Sequence, residues 1–244
     1  MARRATAIRQ QRAGAGHVLL VDGGSTLFGD EESERSQGRA LVAAMNFMGY
    51  DALALGEKDF RLGWETLEAR LGEAAFPALS ANVVVSATGE LLARPYLVRE
   101  VGGHRLAIVG LTEGEARPAL GKEGLIVTDP LEAARRYVLE ARREAEAVIV
   151  LARLGQEGGL RLAETVPGIT VVIGGAEPAG LRQPMVVGRT LFVRATYQGK
   201  ALGWLRLRLG SEGQVLQHEG GLIPLTADFA DDPAMRDLLA GYNQ

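Results

Sequence analysis

Cysteine is absent from the 244 residues, and histidine occurs only at His17, His104 and His218. The first absence excludes a disulfide framework, a thiolate metal site and a cysteine nucleophile. The second leaves carboxylates as the main donors for any metal. Aromatic residues make up 5% of the chain, and Trp64 and Trp204 fall in a predicted helix and strand, where they read as packing residues rather than a base-stacking platform. Charge of one sign is lacking too. With 27 basic against 30 acidic residues the formal net charge is −3, so there is no basic stripe for a phosphate backbone and nucleic acid is not an expected partner. No apolar run is long enough to span a membrane, and the opening Met1-Ala2-Arg3-Arg4 lacks the apolar region of a secretion signal. Lysine occurs only at 58, 122 and 200, and asparagine only at 46, 82 and 243. Scarce thermolabile amides suit a heat-adapted source, while the arginine bias fits genomic base composition equally well.

What is present is an ordinary globular composition, 47% hydrophobic and 23% charged. Short β-rich runs alternate with amphipathic stretches bounded by Gly, Pro and Asp, the rhythm of an α/β fold. Strands are predicted at Val18 to Val21, Ala52 to Leu55, Leu106 to Val109, Val148 to Leu151 and Thr170 to Ile173, mostly continuous apolar runs that expect burial on both faces. Helices are predicted at Ser36 to Met48, Trp64 to Leu71, Pro130 to Glu146 and Pro233 to Tyr242. The third carries a capping Asp129, Pro130 at its first position and a stripe of Leu131, Ala134, Val138 and Ala141. Thr190 to Ala195, Gly203 to Leu209 and Val215 to Leu222 read as an antiparallel meander turning at Ser211-Glu212-Gly213.

Ligands of open α/β sheets gather at the carboxyl ends of strands. Here those loops are Asp22-Gly23-Gly24-Ser25-Thr26, Gly56-Glu57-Lys58-Asp59-Phe60, Ala152-Arg153-Leu154-Gly155 and Gly174-Gly175-Ala176-Glu177-Pro178. With the framework stretches Ala44 to Ala52, Phe76 to Val83 and Val109 to Thr112, this ordered series resembles the N-terminal metallophosphatase domain of the 5′-nucleotidase family, within the calcineurin-like phosphoesterases. The resemblance runs to about residue 240. It implies two mixed β-sheets sandwiched between helices (α/β/β/α), in one domain over 1–244 without the family's C-terminal nucleotide-specificity domain.

The family norm is a pair of divalent metal ions that activate a water against a phosphate ester. Position by position, its bridging Asp corresponds to Ser25, its Asn ligand to Glu57, its catalytic His to Lys58 and its loop His to Arg153; its last two His ligands correspond to Ala176 and Pro178. None of the three histidines falls on a family ligand position. The resemblance therefore implies no cofactor, a degenerate metal site and a binding, scaffold or regulatory protein. In one reading Lys58 and Arg153 replace the metal charge by pairing with Glu57, Asp59 and Glu177. In a second they hold phosphate or a nucleotide beside Ser25. A third, an active metal-dependent phosphoesterase, needs ligands from a further N-terminal segment or a partner. Gly23-Gly24 and Gly174-Gly175 are expected as tight turns with positive φ, and Asp22 as a backbone cap. The family's first motif, Asp-x-His on a strand preceding Val18, has no counterpart, so a gap or an exposed pairing edge is expected, either removed by a rearranged sheet or covered by a protein partner or a homodimer. The resemblance also implies a periplasmic or exported location.

Overall fold

The computed structural model describes residues 1–29, 31–113, 120–121, 123–175 and 179–242. In chain order the elements are α1 (Ala2–Ala13), β1 (Val21–Asp22), α2 (Glu31–Arg35), α3 (Arg39–Met48), β2 (Ala52–Ala54), a 3-10 turn (Glu57–Phe60), α4 (Trp64–Glu73), β3 (Ala78–Leu79), β4 (Val83–Val85), β5 (Tyr96–Val101), β6 (His104–Leu111) and β7 (Leu125–Val127). They continue with α5 (Pro130–Ala141), β8 (Ala147–Ala152), α6 (Gly155–Thr165), β9 (Val171–Gly174), β10 (Met185–Val187), β11 (Thr190–Arg194), β12 (Ala201–Leu209), β13 (Val215–Pro224) and α7 (Pro233–Ala240).

The apolar runs do what continuous hydrophobicity requires. β8 is buried at every residue and lies inside a six-stranded sheet ordered β10-β11-β9-β8-β6-β5. Its interior pairs, β6 with β8, β8 with β9 and β9 with β11, are parallel, and the edges β5 and β10 are antiparallel. One face packs on α5 and α6 through Val138, Ala141, Leu162, Val150 and Phe192. The other meets a parallel sheet β1-β2-β3 through Ile108, Ile149 and Leu151 against Ala52, Ala54 and Leu79. Behind that second sheet α1, α3 and α4 close a further core containing Ile8, Met45, Leu53 and Leu67. The expected α/β/β/α layering is the observed one.

Three expectations change in detail. The late strands are no single meander: β11 joins the large sheet beside β9, while β12 and β13 form a separate hairpin. The second sheet is parallel and three-stranded rather than mixed, because among the described residues nothing pairs β1 to β12. The helix α1 has no forecast, since Ile8 is its only large apolar residue and its alanines, set among arginines and glutamines, do not mark a stripe.

The cap read from the sequence at the start of α5 is in place, and the structure adds one at the start of α7. Asp129 accepts from Leu131 N–H at 2.8 Å and from Glu132 N–H at 2.9 Å. Asp232 does the same work for α7, accepting from Met235 N–H at 3.0 Å, and also pairs with Arg9 of α1. Its carboxyl is held below the usual carboxylate range, chiefly by the Met235 N–H and then by Arg9. A lowered carboxyl contributes stability that is full above its unfolded value and fades as pH falls through that range. Asp232→Ala should therefore lower the melting temperature at neutral pH, with a deficit that narrows on acidification; melting curves at both pH values check this.

Candidate functional site

The loops after β1, β2, β6 and β8 meet at one end of the two sheets. After β1 the chain turns through Gly24 (φ +95°) and Ser25 (φ +58°), both left-handed. A side chain at Gly24 would place its Cβ 2.6 Å from the Ala54 carbonyl, so glycine is required there sterically as well as conformationally. Ser25 adopts the same region without being glycine, a strained geometry that needs outside support. The turn aims consecutive amide N–H groups at one point, forming a concavity suited to an anion.

That anion belongs to the protein. Asp59 is fully buried; its Oδ2 accepts from Ser25 N–H at 2.8 Å and Gly56 N–H at 2.9 Å, and its Oδ1 accepts from Thr26 and Leu27 N–H, each at 2.8 Å. Burial pushes the Asp59 carboxyl up from its ordinary value, while the N–H groups of Gly56, Leu27 and Ser25 pull the other way. Four accepted bonds are a load that suits a carboxylate, which offers only acceptors.

Asp22 caps the turn from the other side, accepting from Gly24 N–H at 2.9 Å and the Thr26 hydroxyl at 2.5 Å, as expected. Gly56 has extended backbone, and its need for glycine is close approach: a Cβ there would overlap Ser25 Oγ. Ser25 Oγ in turn accepts from Lys58 N–H at 3.2 Å. Gly23, Gly174 and Gly175 all lack positive φ, which corrects the turn expectation for those three and leaves it standing at Gly24. At Gly174 the constraint is space, a Cβ standing 2.9 Å from the Phe192 ring, and Gly175 N–H donates to Ala152 O at 3.0 Å.

The cations sit differently from the sequence reading. Arg153 pairs with Glu113, Nε to Oε1 at 3.4 Å, and its Nη1 lies 3.5 Å from Gly24 O. Both side chains are mostly buried, at 19% and 10% exposure. Glu113, two residues after β6, is a partner that sequence reasoning missed. Asp59 pairs with neither cation, because backbone amides saturate it. Glu57 and Lys58 are exposed on the 3-10 turn, and Lys58 has no ion pair among the described residues. Ala176, Glu177 and Pro178 lie outside the described residues. His17, His104 and His218 are dispersed: His104 Nδ1 contacts Glu146 at 2.9 Å, His17 abuts Gly102, and His218 faces Leu207 in the hairpin. Among the described residues no three His, Asp or Glu side chains gather as a metal-holding group.

A second buried polar network holds the next loops. Asn82 receives Thr112 N–H on Oδ1 at 2.8 Å and donates to Thr112 O at 2.8 Å. The Thr112 hydroxyl reaches Leu55 O at 2.8 Å and Ser80 Oγ at 2.8 Å. The framework stretches Ser80 to Val83 and Val109 to Thr112 thus carry one satisfied network joining β2, β4 and β6.

Two sheets face to face, helices outside them and functional loops at the strand ends define the calcineurin-like metallophosphoesterase fold. The SoxB sulfate thiohydrolase of Thermus thermophilus superposes with TM-score 0.92 and 28% identity, over 99% of this chain and 46% of that one. A 5′-nucleotidase precursor, also from Thermus thermophilus, gives 0.89 and 30%, over 100% and 52%. The snake venom 5′-nucleotidase of Gloydius brevicauda is 33% identical over 100% of this chain and 45% of its own length. No protein-family model matches the chain. The chain belongs to the 5′-nucleotidase family, matching its N-terminal metallophosphatase domain, and spans about half the length of the relatives it matches.

Asp59→Asn puts an amide NH2 against N–H donors and leaves buried amides unpaired, so it should destabilise the protein by about 2–4 kcal/mol. Arg153→Ala should cost about 1 kcal/mol, a fall in melting temperature of about 2–4 °C. Urea titration and melting curves measure the two.

Proposed function

We propose that this protein is a catalytically inactive relative of the 5′-nucleotidases that works as a binding or scaffold protein. One observation carries the reading: the amide concavity after β1 is filled by Asp59, a residue of the same chain. The donor set at the family's ligand positions does not fit two divalent ions. Ser25 Oγ is a neutral atom already accepting a backbone N–H, the Glu57 side chain is exposed on the turn, and Lys58 and Arg153 bring positive charge where cations would have to sit. No hydrolytic step is derived through such a pair.

The same saturation weakens the alternative of a phosphate or nucleotide pocket. The amides of Gly24, Ser25, Thr26, Leu27 and Gly175 all donate within the protein, leaving Lys58 as the exposed cation there. No helix among the described residues is long and apolar enough to cross a membrane, and one relative is by name a venom protein, in keeping with the exported location implied by the resemblance.

Elemental analysis of the purified protein, with nucleotidase and phosphodiesterase assays in added manganese, tests the proposal. The expected result is substoichiometric metal and no turnover above a blank; bound stoichiometric metal with turnover would overturn it. Phosphate and AMP should leave the melting temperature unchanged.

A further inference from the structure

Two strand edges face one open groove of about 1580 Å3, lined by residues of both β1 and β12. In the second sheet Leu53 N–H donates to the carbonyl of Pro77, just before β3, and Leu55 N–H to that of Leu79 on β3, so Ala52 and Ala54 turn theirs toward β1. Leu20 answers on that side: its N–H donates to Asp51 Oδ2 and its carbonyl accepts from Asp51 N–H, both at 2.7 Å. Successive residues of a strand send their polar groups to opposite sides. Leu19 and Val21 therefore present theirs to the groove.

The hairpin gives the same result from the other wall. Leu225 N–H donates to Lys200 O at 2.9 Å, and counting along the register makes Leu202, Trp204 and Arg206 the residues bonded to β13. Gly203, Leu205 and Leu207 turn their N–H and C=O outward. Among the described residues no strand pairs with either edge.

Between the edges lies an apolar floor from the large sheet, Leu106, Ile149, Ile173 and Val193. Around it Arg3, Arg4, Lys58, Arg153, Arg206 and Arg208 stand against Asp22, Glu32 and Asp231. Three of these cations are balanced, Arg3 by Asp231, Arg153 by Glu113 and Arg206 by Glu219. Arg4, Lys58 and Arg208 make no ion pair among the described residues, and neither do Asp22 and Glu32, so unpaired cations outnumber unpaired acids on this rim, in a chain of net charge −3.

From these features we infer that the groove takes an extended segment of another protein, apolar at alternate positions and acidic between them. Only an extended backbone bonds laterally to two strand edges, since a helix satisfies its own amides. Alternation follows from the floor, because every second side chain of a strand meets it. The acidic character follows from the rim. The inference rests on the binding-protein reading and gives it a partner class.

A seven-residue peptide alternating valine and glutamate is the probe, read by hydrogen–deuterium exchange on the full chain. Exchange at Leu19, Val21, Gly203, Leu205 and Leu207 should slow about tenfold or more with saturating peptide. The same peptide N-methylated at alternate residues loses the bonds to one edge and should give little protection. Val193→Glu places a charge in the floor and should abolish protection while its melting curve stays cooperative; Leu106→Glu serves if it does not. Equal protection by the N-methylated peptide, or none by the parent, overturns the proposal. Protection that rises with the concentration of the chain alone also overturns it, in favour of a second copy. A failure here leaves the metal and turnover measurements standing, so the two readings fail separately.

Discussion

The carboxylate of Asp59 holds the site end of this fold together. Four amides from two loops converge on it, and those loops extend from neighbouring parallel strands, so one buried side chain fixes the ends of β1 and β2 relative to each other. Without that acceptor each amide would be stranded away from water at about 1–3 kcal/mol. The left-handed conformations of Gly24 and Ser25 exist to aim those amides, and Ser25, which tolerates that region poorly, is held there by its own N–H bond to the carboxylate. Loop shape and acceptor depend on each other.

The electrostatics of the neighbourhood follow from this. A negative charge in a dry pocket is neutralised by dipoles, so it makes no demand on Lys58 or Arg153. Arg153 is then available to a different carboxylate, and Glu113 supplies one from the end of β6, tying the β6 and β8 loops together. Lys58 is turned outward on the 3-10 helix. Separate local solutions replace a single ion-pair cluster: Asp59 with amides, Arg153 with Glu113, Asp22 with its own turn, and Asn82 with Thr112.

The layering was legible because buried parallel strands leave continuous apolar runs, and β8 and β9 fall within a residue of their forecast bounds. The helix start at Asp129-Pro130 was legible for the same kind of reason, a local device with a local signature. The partners of Asp59 were not legible: backbone amides have no residue type, and their convergence depends on φ at Gly24 and Ser25. Glu113 was missed because nothing in the sequence near Arg153 announces an acid forty positions earlier. The detachment of β12 and β13 from β11 was hidden because all three runs have strand periodicity, and pairing is decided by which neighbour each edge reaches. α1 was hidden by its arginines, which cover apolar surface without creating a stripe.

The open geometry of the groove is a property of its walls. β1 is drawn toward β2 by the Leu20–Asp51 bonds and by Asp59, and cannot slide toward the hairpin without giving up both. The hairpin is held from its other side: Gly203 lies against Ala195 at the end of β11, and the turn at Gly213 lies so close to Glu146 O that a Cβ there would overlap it. Leu205 and Leu207 also pack on the same apolar cluster as Ile149 and Val171. Each wall is thus anchored to a different part of the scaffold, and closing the gap would strain both. The two edges stay apart because the packing that builds the sheets fixes their spacing before any lateral pairing between them is available.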